Sequence, residues 1–87
     1  MFEVRCRSPL DEAWEGRDRQ LEKAAGRLSD AGGAYFEGKA GVREHRWTVL
    51  TLAEAVEMRK RLAAVPGARA TIQEAVTEGR RRRYKKG

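Results

Sequence analysis

The chain has 87 residues, 40% of them hydrophobic and 37% charged. That length supports one modest core and leaves no room for a cleft between lobes, because so short a chain buries only about 60–65% of the surface its unfolded form exposes. The formal net charge is +6, but Arg80, Arg81, Arg82, Arg83, Lys85 and Lys86 supply all of the excess; the remaining thirteen basic residues balance the thirteen acidic ones.

The single cysteine, Cys6, excludes an internal disulfide and a cysteine-rich zinc centre. Stability is therefore expected to come from packing, as suits a reducing compartment. No apolar leader follows Met1, and no run approaches the roughly 20 apolar residues of a spanning helix. A soluble, cytoplasmic protein without membrane contact is the expectation.

In chain order, Phe2, Val4 and Cys6 alternate with Glu3, Arg5 and Arg7, which predicts a strand with one apolar face. Ser8-Pro9-Leu10-Asp11 then reads as a helix start, with Ser8 as cap and Pro9 at the first helical position. Leu10, Trp14, Arg17, Leu21, Ala25 and Leu28 fall at helical spacing and predict the buried stripe. Gly16 and Gly26 weaken that helix, and Gly32-Gly33 is expected to end it.

Ala34 to Glu37 predicts a short strand, Gly38-Lys39-Ala40-Gly41 a turn, and Val42 to Leu50 a longer strand, the two forming a hairpin. Thr51-Leu52-Ala53-Glu54 has the form of a capping box and opens a second helix. Its inner stripe is read as Leu52, Ala55, Val56, Arg59, Leu62 and Ala63, and Pro66-Gly67 stops it. Residues 68–76 read as a fourth strand, with Ala70, Ile72 and Val76 on one face. Thr71-Ile72-Gln73-Glu74 leaves open a third helix packed on a three-stranded sheet. The favoured order is β-α-β-β-α-β, the split βαβ or ferredoxin-like arrangement of α+β proteins. Residues 1–79 form its single domain, and residues 80–87 are expected to be a disordered basic tail.

Gly33-Ala34-Tyr35-Phe36-Glu37-Gly38-Lys39-Ala40 approximates a phosphate-binding loop. Ala40 lacks the hydroxyl such a loop uses on magnesium, and the segment leads into a strand rather than a helix, so nucleotide hydrolysis is not expected. Cys6 and His45 share core-facing parity on strands that this order makes neighbours, and such a pair can form a thiolate nucleophile. A buried cysteine acting as a small hydrophobe is the stronger reading, because no third orienting group is evident. One histidine and one cysteine do not make a zinc shell, and the acids lie mostly beside Lys or Arg. No catalytic residue, metal or cofactor is expected; the chain reads as a non-enzyme.

Trp14, Trp47, Phe2 and Phe36 are expected in the core. Tyr35 has the opposite parity and shares an open sheet face with Arg5, Arg7, Arg46 and Arg69, interleaved with Glu3, Glu37 and Glu44. Such a face can receive RNA, although the paired aromatics of the commonest RNA-binding sheets are missing. Arg80, Arg81, Arg82, Arg83, Tyr84, Lys85 and Lys86 have the composition of an arm for a polyanion, with guanidinium groups for phosphates and a ring for stacking. These features predict a nucleic-acid-binding module for RNA or DNA, monomeric or weakly dimeric. The competing expectation is a protein-binding inhibitor or adaptor from a phage or mobile element, of the anti-CRISPR type, docking on a larger protein or ribonucleoprotein.

Overall fold

The computed structural model describes residues 1–75. It is an α+β fold of six elements: β1 (Phe2–Pro9), α1 (Trp14–Ala25), β2 (Ala31–Glu37), β3 (Ala40–Val49), α2 (Leu52–Ala63) and β4 (Arg69–Glu74). The four strands form one sheet in the order β2-β3-β1-β4, with every neighbouring pair antiparallel. Residues 69–74 are therefore a strand paired with β1, and the third-helix alternative is excluded. Val76 and the basic tail lie outside the described residues.

Strand parity explains the core. Val4, Cys6 and Ser8 are buried on β1, and His45, Trp47 and Val49 on β3. The register sets Val4 opposite Trp47 and Cys6 opposite His45, so both sets share one face. That face meets Leu21 and Ala25 of α1 and Ala55, Met58 and Leu62 of α2. Phe2, Ala70 and Ile72 close its margin. Arg5, Arg7, Arg46 and Thr48 alternate with these residues on the second face, which no helix among the described residues covers. Among the described residues no helix is long and apolar enough to cross a membrane.

Several boundaries differ from those expected, for local reasons. Ser8 is a buried strand residue, not a helix cap; β1 continues through Pro9 and α1 starts at Trp14. The turn between them is held by side chains. Asp11 Oδ1 accepts from the Ala13 amide at 3.0 Å, and Arg17 donates to both Asp11 oxygens and to the Pro9 carbonyl. Arg17 thus braces the loop instead of lining the core.

The end of α1 comes at Gly26, not at Gly32-Gly33. Gly26 is left-handed at φ 87° and donates to the Glu22 and Lys23 carbonyls. Gly32 and Gly33 lie inside β2, and Leu28, expected in the stripe, is 72% exposed. Only Gly38 and Lys39 separate the hairpin strands, since Glu37 pairs with Ala40. Gly38 takes φ 62°, the positive value a tight hairpin asks of its first loop residue.

Thr51 caps α2 as expected, its hydroxyl oxygen accepting from the Glu54 amide at 3.1 Å. The inner face of α2 is rotated from the predicted one. Met58 is buried, whereas Leu52 and Val56 are exposed and Arg59 and Ala63 face solvent.

Candidate nucleic-acid interface

The uncovered sheet face is built from rows of side chains crossing the strands. One row runs Ala31–Arg46–Arg5–Thr71 and the next Gly33–Glu44–Arg7–Arg69. Arg5 thus sits directly opposite Arg46, and Arg7 directly opposite Arg69. Like charges facing each other across a strand pair are destabilising unless a counter-charge is near.

Three glutamates supply part of that counter-charge. Arg5 Nε lies 2.8 Å from Glu3 Oε1. Glu44 lies between two arginines, 3.3 Å from Arg7 Nε and 3.8 Å from Arg46 Nε. Glu37 reaches Arg7 only at 4.0 Å. The Glu44 hydrogen bond comes first among the causes that hold the Arg7 guanidinium more firmly charged than usual.

The compensation is incomplete. Arg46 Nε is buried without a hydrogen-bond partner among the described residues. Arg69 is exposed and makes no ion pair there. Each of these arginine pairs thus stands on neighbouring strands of the same face. Tyr35 lies on this face, half-buried opposite Val42. It is two strands away from Arg5, so it flanks the arginine rows rather than standing among them. Arg5, Arg7, Tyr35, Arg46 and Arg69 therefore share one face, as their parity predicts. Arg80 to Arg83, Tyr84, Lys85 and Lys86 lie outside the described residues.

Phe36 has the helix-side parity expected of it but is 72% exposed, because the helices do not extend over the far end of β2. Trp14 is half-buried under the Arg43 guanidinium, which stands 5.4 Å from its ring centroid.

A polar chain inside the fold escaped the sequence reading. His45, only 2% exposed, bonds through Nε2 to Asp18 Oδ1 at 2.9 Å and through Nδ1 to Ser29 Oγ at 2.9 Å. Asp18 Oδ2 accepts from Arg43 Nε at 3.0 Å. A carboxylate only accepts, so Nε2 donates to Asp18, while the Ser29 hydroxyl is able to donate to or accept from Nδ1. This is a Ser-His-Asp sequence of contacts, with the ring nitrogens used in the reverse of the usual protease sense.

The chain ties together α1, the segment after it and β3, which is a structural use. Both nitrogens of His45 are thereby engaged by groups other than Cys6. Burial pushes the Cys6 thiol up to about 11, so it stays protonated at neutral pH. The Cys-His pair lacks the thiolate that nucleophilic chemistry would need. Among the described residues no group of three or more His, Cys, Asp or Glu is placed to hold a metal ion.

A signal for Asp18 was present: it follows Trp14 by four residues and precedes Leu21 by three, so it fits the buried stripe as well as Arg17 does. No protein-family model matches the chain, and comparison with curated proteins finds no relative.

Proposed function

We propose that this chain is a non-enzymatic nucleic-acid-binding module on a ferredoxin-like, split βαβ frame. One observation carries the reading: Arg5 faces Arg46, and Arg7 faces Arg69, on a sheet face that no helix among the described residues covers. A sheet selected for stability alone would not set arginines opposite one another twice in adjacent rows. Phosphates along a strand would supply the counter-charge that three glutamates supply only in part. Lys and Arg in residues 80–86 add the long-range attraction that a formally neutral body lacks.

The test is fluorescence anisotropy of a labelled single-stranded oligonucleotide at several salt concentrations, with nuclease-treated protein. Binding should weaken with salt. Six tail cations all meeting phosphates of a single strand would give a log–log slope of about −4, or about −5 on a duplex. Replacing Arg80, Arg81, Arg82 and Arg83 with Ser should flatten the slope, and Arg5→Ala with Arg46→Ala should lower affinity further. No binding by the intact protein at low salt would refute the reading.

A second reading, docking on a protein of the kind an anti-defence inhibitor targets, draws support from one feature. Leu50 and Leu52 are 71% and 52% exposed, and Leu50 lines a shallow groove with Thr48, Ala53, Glu57 and Arg61. Under that reading Leu50→Ser abolishes partner capture and the arginine variants do not.

A further inference from the structure

The two free edges of the sheet differ. β4 carries Arg69, Gln73 and Glu74, and α2 packs against it. Charges and a covering helix are the ordinary protections of an unpaired edge. β2 has neither. Its sequence is Ala-Gly-Gly-Ala-Tyr-Phe-Glu, with one charge, at the hairpin end. It contains no proline, and its register with β3 runs from Ala31 opposite Arg46 to Glu37 opposite Ala40 without a bulge. All of its residues except Tyr35 are exposed. A glycine-rich strand that, among the described residues, has one neighbour and no helix over it is marginal by itself.

We propose that β2 pairs antiparallel with β2 of a second copy of this chain, with Ala34 on the twofold axis, joining two four-stranded sheets into one of eight strands. The strand is complementary to its own reverse about that residue. Gly33 then faces the second copy's Tyr35, and Gly32 faces its Phe36, so both aromatics lie over positions without side chains. An aromatic across from a glycine is a recognised way to compensate a weak strand position. Gly33 has open space where a Cβ would be, and Phe36 is 72% exposed in the single chain.

The same register sets Glu37 opposite Ala31 of the second copy. Ala31 pairs with Arg46, whose side chain is 43% exposed. A glutamate reaching across an alanine can contact that guanidinium twice in the dimer, once on each side of the axis. Such an interface is isologous, as twofold symmetry requires. It is also small, so the dimer is weak, with Kd on the order of micromolar or higher. This inference is independent of nucleic-acid binding, although it would place two arginine faces side by side on one surface.

Sedimentation of nuclease-treated full-length protein from about 1 μM to about 1 mM tests it, that range bracketing a weak dimer. The weight-average mass should rise from 9.8 kDa towards twice that value. Ala34→Lys, which sets two positive charges at the axis, should hold the protein monomeric with an unchanged melting temperature at low concentration. Gln73→Lys on the opposite edge should leave dimerisation intact. The register is tested by cysteines: Ala34→Cys should cross-link to itself under mild oxidation, whereas Ala31→Cys, facing Glu37, should not. A monomer throughout the range overturns the proposal. So does loss of the dimer in Gln73→Lys but not in Ala34→Lys, or equal cross-linking at 31 and 34.

Discussion

Asp18 shows how one side chain can organise several elements. Its two oxygens accept from His45 and Arg43, and its own side chain is 14% exposed. Removing it leaves a buried imidazole and a partly buried guanidinium without their acceptor. Asp18→Ala should therefore lower stability by about 3 kcal/mol in urea unfolding, the cost of breaking a buried charged pair. Cys6 is the opposite case, a polar atom type used as packing. Its thiol should resist Ellman's reagent in the folded protein at pH 8, reacting roughly a hundredfold or more slower than in urea, because it is buried and protonated. Asp30 links folding to pH. Its carboxyl is held below the ordinary range chiefly by the Arg27 hydrogen bond, then by the Thr48 amide. A depressed carboxylate contributes stability above its unfolded value, and that contribution is lost as pH falls through the folded one. Asp30→Asn should make urea midpoints less dependent on acidity as pH falls below the ordinary aspartate range, where the wild-type protein loses this contribution.

The helix ends carry the clearest lesson at the scale of the element. Thr51 and Ser8 both begin patterns that suit a cap, and only Thr51 is one. Thr51→Ala should cost about 1 kcal/mol in chemical denaturation. Ser8 differs because Pro9 sits where strand pairing with Val42 is already established, and β1 gains more by extending than α1 would by starting early. Gly26 ends α1 in a conformation L residues avoid, with no atom within 4 Å of where a Cβ would stand. Gly26→Ala should thus be destabilised by roughly 1 kcal/mol through backbone strain alone. In α2 the predicted stripe held the buried Ala55 and Leu62 but took in the exposed Leu52 and Val56 and left out the buried Met58. Hydrophobicity marks which residues can be buried, whereas the angle at which a helix meets its sheet selects among them.

Across the whole molecule, charge and packing are separated by the sheet. One face holds the core and the Asp18–His45–Ser29 chain; the other holds the arginine rows. Arg5→Ala with Arg46→Ala should leave stability within about 0.5 kcal/mol of the original, since surface substitutions rarely do more and two like charges are removed from opposite positions. Thermal unfolding checks this: a large loss would mean that the Glu3 and Glu44 contacts matter more than the repulsion.

Element order, strand parity and the membership of the open face were all legible in the chain. Alternation with period two depends only on the backbone pleat, so Val4 and Cys6 point one way and Arg5 and Arg7 the other whatever surrounds them. The Thr51 cap is local in the same sense. What the tertiary structure alone decided is everything that depends on how far one element reaches over another. Phe36 has core parity and is exposed because neither α1 nor α2 covers its end of β2. Asp18 is charged and sheltered because β3 brings His45 and Arg43 to it from residues more than twenty positions away. Burial is a property of neighbours in space, and a periodic pattern in one segment carries no information about where those neighbours stop.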